Sequence, residues 1–566
     1  MDKKEVAKVL EEIAQLMELA GENTFKIRSY VNGARTIEQL DEPIQVLVEE
    51  HRLQELKGVG QALEEKIIEL VTTGQLQFLE DLKAQFPPTI FELFTIPGLG
   101  PKRVKVLYDE LGIDSLKGLE HACESDQVLS LKGFSLGMQE KILAGIGFSK
   151  KQAGQHLFDK ASGAAENVMA HLSEHSAVIR MELAGSLRRR KEVVKDVDIV
   201  ASSIDPTAVM KSFVTMPGVE RIVSQGETKS SVQLASGVGV DLRVVEDHQF
   251  TYTLAHFTGS KEHNVVMRQR AKDRGLKLNE YGLFRKDGSL VHCDTEAVLF
   301  AALDLPYLPP ELREDRGEFE VKATPRLVVL EDMRGLIHLH TTYSDGANTL
   351  HEMAAAVQEA GYEYMLVSDH SQTAAYAGGL RPDVVVSQQR AIDDLNEELT
   401  DFRVLKGIES DILMDGSLDY EEDVLNSFDL IIASVHQKLD MSEEEATKRV
   451  VKAIEHPATA ILGHPTGRLL LKRKGYTLDM EQIFDACVAN NVAVEINANC
   501  QRLDCDWRHI RRGKDKGVKF SIGPDAHRAF GISFVKYGVG IARKGWLEPE
   551  DVINSMSCEE LLAWRG

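Results

Sequence analysis

No run of 18 or more apolar residues occurs in this chain, so no segment has the length to cross a bilayer as a helix. The opening residues MDKKEVAKVLEEIAQLMELA are charged and helix-patterned and lack the apolar core of a cleavable leader, so a cytoplasmic protein with no membrane partner is expected. Cysteine is scarce as well. The six residues at 123, 293, 487, 500, 505 and 558 form no CxxC pair and none of the frameworks of small secreted domains, so they are read as reduced and structural. Positive charge is also short, with 66 Lys and Arg against 89 Asp and Glu and a formal charge of -23. Such a balance is awkward for gripping phosphate backbones, which are held mainly by Lys and Arg. Sign is nevertheless segregated. Basic clusters occur at Lys102, Arg103 and Lys105, at Arg188 to Lys191, from Lys261 to Lys277 and at Lys472 to Lys474, while acid gathers at Asp393 to Glu398 and Asp419 to Asp423.

A chain of 566 residues is too long for one hydrophobic core. Residues 1 to about 150 read as helices punctuated by glycine turns. From about 178 the runs VIRMELAG, VDIVASSI and VGVDLRVV read as strands of an α/β or α+β domain. Pro306, Pro309, Pro310 and the acidic stretch after them mark a linker. Beyond it GLIHLH, YMLVSDH, FRVLKGIE, LIIASVH, TAILGHP, VAVEINA and KFSIGPDAH alternate with helical segments, which predicts seven parallel strands in a TIM-like (β/α) barrel.

The ends of those strands carry the strongest signal: His338, His340 and Asp345 after the first, His370 after the second, Glu409 after the third, His436 after the fourth, His464 after the fifth, and Asp525 and His527 after the seventh. In a parallel barrel all these ends open on one face, so the nine side chains converge there. Imidazoles and carboxylates suit Zn, Mn or Fe, and nine ligands exceed the needs of one ion, so two or three are implied. Clustered divalent ions serve phosphoester hydrolysis. His351 and His456 fall in or beside helices and are left out.

The motifs HLHTTYSDG, SDH, GIE, SVH, GHP and GPDAH resemble the PHP (polymerase and histidinol phosphatase) family. That resemblance implies one ion held by His338, His340, Glu409 and Asp525, a second held by His436 and His464 and bridged by Glu409, and a third held by Asp345, His370 and His527. Mn2+ or Zn2+ is the expected occupant.

In the middle domain, AGSLRRRKEVVKDVDIV is followed by VDLRVV. Asp196 and Asp198 stand two apart in a strand and so share a face, where Asp241 from another strand can join them. Three such carboxylates can hold two Mg2+ or Mn2+ ions that align a 3' hydroxyl with a triphosphate. Gly185 and Ser186, at the start of an expected helix, offer amides and a hydroxyl to phosphate oxygens, with Arg188 and Arg189 adding charge. The string resembles the nucleotidyltransferases of DNA polymerase family X, and HFTGSKEHNVVMR makes the resemblance specific by matching their thumb. It implies that His256 and Phe257 flank the incoming sugar, Gly259 and Ser260 shape the turn, Asn264 contacts the base and Arg268 lies near the template; LNEYGLF also fits. Two departures stand out: His256 replaces the tyrosine usual in the animal enzymes, and Gly239 stands where they carry arginine.

The N-terminal strings LKGVGQALEEKI and IPGLGPKRVKVL are helix-hairpin-helix signals, whose GxG turns (Gly58 and Gly60, Gly98 and Gly100) expose amides to a DNA phosphate without reading sequence. Lys102, Arg103 and Lys105 reinforce the second, and LKGFSLGMQEKIL is a weaker third copy. By resemblance these are the lyase-like and fingers domains of family X, with Lys26 and Tyr30 fitting a 5'-phosphate pocket and Lys66 standing at the Schiff-base lysine. That chemistry needs a neutral amine, whereas Glu64 and Glu65 favour the charged form, so Lys66 reads equally well as a phosphate-gripping surface lysine.

The resemblance spans nearly the whole chain. It implies a helix-hairpin-helix domain over 1–85, fingers over 86–150, palm over 151–245, thumb over 246–310, linker over 311–330 and PHP domain over 331–566. The expected activity is template-directed filling of short DNA gaps, coupled to 3'-5' exonuclease or 3'-end phosphoesterase action. The expected partners are gapped or primed double-stranded DNA and deoxynucleoside triphosphates, and the expected state is a monomer. The rival readings are a PHP-type phosphoesterase whose polymerase half is passive, and a DNA-end-binding scaffold.

Overall fold

The structure is a computed structural model that describes residues 3–38, 40, 44–56, 58–96 and 98–565; Lys57 and Pro97 of the two hairpin strings lie outside these. The chain forms two compact units, Met1–Ala153 and Gly154–Gly566.

The first unit is helical. Helix α1 (Lys3–Ala20) packs on α2 (Thr24–Glu38) over a core that includes Leu10, Ile13 and Ile37. The hairpin turns precede α3 (Gln61–Thr73) and α4 (Pro101–Leu111), and a third precedes α5 (Leu136–Gln152). All three turns are built alike: Gly58, Gly98 and Gly133 have φ of +91°, +86° and +92°, and the next residue donates its amide to the carbonyl three residues back. A side chain is strained in that left-handed region, so glycine is required there. LKGFSLG is thus a geometric copy of the other two turns.

The second unit begins with a five-stranded sheet of β1 (Val178–Leu183), β2 (Asp196–Ser203), β3 (Val219–Gln225), β4 (Lys229–Leu234) and β5 (Gly239–Val245), in the order β1-β2-β5-β4-β3. Only β2 and β5 pair in parallel, with Asp198 opposite Asp241 and Asp196 opposite Gly239. After it, α6 (Phe250–Thr258) and α7 (Lys261–Asp273) enclose a core that includes Tyr252, Met267 and Phe300. Residues 311–330, expected as a linker, contain only two short 3-10 turns and yet are largely packed: Arg313 and Glu318 are fully buried. Both are satisfied, Arg313 by an ion pair with Glu296 and Glu318 by hydrogen bonds with the His263 ring and the amides of Asp315 and Arg316, which is why an acidic, proline-flanked stretch can lie inside the fold.

The remainder is the predicted barrel. Strands β6 (Gly335–Leu339), β7 (Tyr364–Val367), β8 (Arg403–Asp411), β9 (Leu430–Ser434), β10 (Thr459–Leu462), β11 (Ala493–Asn497) and β12 (Phe520–Gly523) succeed one another in parallel, and a bridge between Leu339 and Ala526 links the first to the last. Most are buried on both faces, as expected of parallel strands covered by helices. No helix among the described residues is long and apolar enough to cross a membrane.

Candidate metal centres

All nine predicted barrel ligands meet at the C-terminal mouth of the strands. Glu409 is the hub, almost wholly buried. Its Oε1 lies 2.9 Å from His464 Nε2, 3.2 Å from His436 Nε2 and 3.3 Å from His338 Nε2, and its Oε2 lies 2.9 Å from His370 Nδ1. Asp525 Oδ1 stands 3.3 Å from His340 Nε2 and 3.8 Å from His338 Nε2, while Asp345 Oδ1 stands 3.2 Å from His527 Nε2 and 3.7 Å from His370 Nε2. Three sets have ligand atoms close enough for one ion: His340, Asp345, His370 and His527; His338, His340 and Asp525; and His370, Glu409 and His436. The geometry thus shares His340 and His370 between sets, where the motif resemblance gave each imidazole one ion.

Two features of this mouth are invisible in the motif. His338 sits inside β6, at a register shift between Ile337 and Leu339, and both His338 and Asp525 take positive φ, +74° and +50°. Non-glycine residues in that region carry strain, which persists only where the surroundings impose it and is concentrated at functional sites. Glu409 likewise lies within its strand rather than after it.

The donor set fits divalent ions. His338 Nε2, both ring nitrogens of His340, His370 Nδ1 and Glu409 Oε1 are buried and, despite the close approaches above, make no well-aligned hydrogen bond, whereas buried polar atoms normally have one. Burial and the charges of His527 and His370 push His340 down to about 3, which keeps it a neutral imidazole, the form able to bind a metal. A second layer orients the ligands: Glu495 bonds His338 Nδ1 and accepts the His464 amide at 2.6 Å, Asp411 bonds His436 Nδ1, and Asn497 donates to Asp525 Oδ2 at 3.1 Å. Sequence reasoning missed Glu495 and Asp411. They stood in view in VAVEINA and GIESD, but an outer carboxylate carries no spacing signal of its own.

In the central sheet, Asp198 and Asp241 are direct neighbours across β2 and β5, with Asp196 on the same face of β2. Burial, then the charges of Asp196 and Asp241, pushes Asp198 up to about 6, and burial followed by Asp241 raises Asp196. Crowded, half-buried carboxylates of this kind are what a dication relieves. Gly185 has φ +65°, and a Cβ there would fall 2.1 Å from Asp198 Oδ2, so the glycine makes room for the carboxylate. The expected helix at Gly185 and Ser186 is a single turn, Gly185–Arg188. Lys229 Nζ reaches Asp241 Oδ2 at 2.6 Å, and the Arg243 guanidinium lies 3.9 Å over the Phe257 ring. Neither was singled out from the sequence; Lys229 supplies cationic charge beside Asp241 and both act on Asp198, although Gly239 is neutral.

Arg188 and Arg189, expected to add charge for a triphosphate, are instead committed to buried carboxylates. Arg188 binds Glu296 at 2.8 Å and Thr258 at 2.7 Å, and Arg189 binds Glu314 at 2.9 Å and the Thr258 carbonyl at 2.8 Å. The acids that claim them lie more than 100 residues away. Asn264 donates its amide to the carbonyls of His256 and Gly259, so it braces the turn expected to face the nucleotide, and Ser260 caps α7. His256 and Phe257 stand edge to face, 5.0 Å between ring centroids, and Arg268 is exposed.

In the first unit, Lys66 donates to the Ala62 carbonyl at 3.2 Å and its ammonium lies 4.8 Å over Phe78, on which Tyr30 also stacks. Lys26 is exposed near Glu22. Gly60 and Gly100 are the N-caps of α3 and α4; Arg103 donates to the Gly98 carbonyl, Lys105 pairs with Asp109, and Lys102, 86% exposed, stands 3.7 Å from Glu18 Oε1.

The family models that match the chain fall on the segments described above. Residues 1–76 match a helix-hairpin-helix domain, 90–155 a SAM-like helix-hairpin-helix tandem, 253–314 the DNA polymerase beta thumb and 337–499 the PHP domain. A DNA polymerase/3'-5' exonuclease PolX of Bacillus subtilis (strain 168) is 38% identical, with 100% of this chain and 99% of that protein covered. A probable phosphatase of Thermoanaerobacter sp. (strain X514) is 26% identical over 38% of this chain and 89% of its own. The solved ternary P/T complex of Leishmania infantum polymerase beta covers 40% of this chain and 98% of its own, at 23% identity and a TM-score of 0.27.

Proposed function

The chain belongs to the bacterial family X DNA polymerases that carry a C-terminal PHP domain, and from that membership we propose how its two centres divide the work. It is a DNA polymerase with a metal-dependent 3'-5' exonuclease. Asp196, Asp198 and Asp241 serve nucleotide addition at short gaps, and the barrel cluster trims 3' ends so that a damaged terminus can be removed and refilled. Divalent ions supply, in the sheet, the charge that aligns primer hydroxyl and triphosphate, and in the barrel the acidity that turns water into a nucleophile. The protein's own part is to fix the geometry. Gly185 leaves Asp198 its space, Lys229 holds Asp241, the Gly259 turn presents His256 and Phe257 to the sugar, and the glycine turns of the first unit offer amides to the DNA backbone.

The observation that carries this reading is the register pairing of Asp198 with Asp241 on the only parallel strand pair of the central sheet. Magnesium or manganese is the proposed occupant there, and manganese or zinc in the barrel. A 5'-phosphorylated one-nucleotide gap, incubated with each ion and resolved on one gel, tests the division. Extension with magnesium and shortening with manganese are expected. Hydrolysis of phosphorylated metabolites, with no extension of the gapped DNA, would instead favour a phosphoesterase with a passive polymerase half.

A further inference from the structure

Between the central sheet and the barrel lies a set of buried charges that neither centre uses. The turn Arg189–Glu192 connects Gly185, which makes room for Asp198, to Asp196 at the start of β2. Two barrel helices, α8 (Trp507–Lys516) and α9 (Val535–Lys544), hold that turn at both ends. At its start, Lys544 Nζ donates to the Arg189 carbonyl at 3.0 Å and to Glu314 Oε1 at 2.6 Å, the same oxygen that accepts from Arg189 Nε at 2.9 Å. At its end, Glu192 accepts from Trp507 Nε1 at 3.0 Å and from Arg508 at 2.8 Å. The Lys544 ammonium lies 4.3 Å over the Trp507 ring, so the two grips form one cluster. Lys544 is 1% exposed and Glu192 6%.

Adhesion alone does not call for this chemistry, because apolar residues of similar volume often stabilise a buried joint as well as an ion pair does. Hydrogen bonds to charged partners add direction, fixing where the backbone runs. Inside the turn Arg190 takes φ +58°, a conformation that an arginine keeps only when its surroundings demand it.

We propose that Trp507, Arg508 and Lys544, although they belong to the exonuclease barrel, are positioning residues of the polymerase site. They lock the Arg189–Glu192 turn and so set Gly185 against Asp198 and aim β2 at the nucleotide. The barrel is then a structural part of the polymerase rather than an appended activity. The inference rests on the assignment of Asp196, Asp198 and Asp241 to nucleotide addition.

The test compares the full chain with Trp507→Phe, which keeps the ring and loses the donor, and with Glu192→Ala and Glu192→Gln. Incorporation into a one-nucleotide gap at varied nucleotide, manganese-dependent 3' shortening, and amide hydrogen exchange are measured on each. Trp507→Phe and Glu192→Ala are expected to raise KM for the nucleotide about tenfold. Glu192→Gln, which keeps an acceptor for Trp507, should recover most of that. Exchange should quicken over residues 184–199 while the barrel strands and 3' shortening stay as in the unmodified chain. An unchanged KM in an active chain, or equal loss of both activities with exchange quickened throughout the barrel, would overturn the clamp. No incorporation by the unmodified chain would overturn the carboxylate assignment beneath it.

Discussion

Asp198 shows how a single side chain can work against the fold that carries it. Its folded-state pKa of about 6 lies above the ordinary carboxylate value of 3.8, so the folded protein binds more protons than the unfolded chain between those values. Stability from this group is therefore lost as pH rises from about 4 to about 6, and an ionised Asp198 burdens the metal-free protein at neutral pH. Replacing it with asparagine should abolish incorporation while stabilising the metal-free protein at pH 7 by about 1 kcal/mol, discounted for partial solvation. Thermal melts in chelator at pH 5 and pH 7 check the sign, because the gain should shrink at the lower pH. The outer carboxylates of the barrel act in the opposite sense. Glu495→Ala and Asp411→Ala leave every first ligand in place but free the rings of His338 and His436, so manganese affinity should fall about 10–100-fold. Calorimetric titration of manganese measures this directly, and gap filling with magnesium should be untouched.

Among the elements, the hairpins of the first unit separate shape from charge. Gly98 holds φ +86° and Lys102 projects from the following helix almost fully exposed. Lys102→Ala should weaken binding to all DNA sequences alike and reduce the slope of log affinity against log salt by about one. Gly98→Ala should instead cost on the order of 1 kcal/mol of stability through the strained turn and weaken DNA binding with the salt slope retained. Fluorescence anisotropy over a salt series tells the two apart. The hairpins could be found in the string because glycine at a left-handed position is a local requirement. The third copy was faint because LKGFSLG lacks the GxG spacing, although its backbone closes in the same way.

For the whole molecule, the barrel should gain stability from metal, since eight side chains already form three sets each close enough for one ion and several of their buried atoms lack a well-aligned hydrogen bond. Free manganese at 100 times its dissociation constant should add about 2.7 kcal/mol, seen as a higher Tm that chelator reverses. An unchanged Tm would mean that the histidines satisfy one another without an ion.

Much of this protein could be read directly from the string of residues. Seven strand-helix units, nine ligands at strand ends and a DxD with a distant third Asp are patterns of period and spacing, and the local backbone alone turns such patterns into shared faces and a common barrel mouth. Other features depended on which distant residues pack together. The arginines after Gly185 looked like a phosphate site until Glu296 and Glu314, more than 100 residues on, proved to claim them. The proline-flanked acidic stretch looked like a linker until its carboxylates met Arg189, Lys544 and the His263 ring. A charged side chain reads the same in sequence whether it faces solvent, a ligand or a buried partner. Burial and pairing tell these apart, and both arise only when the chain has folded.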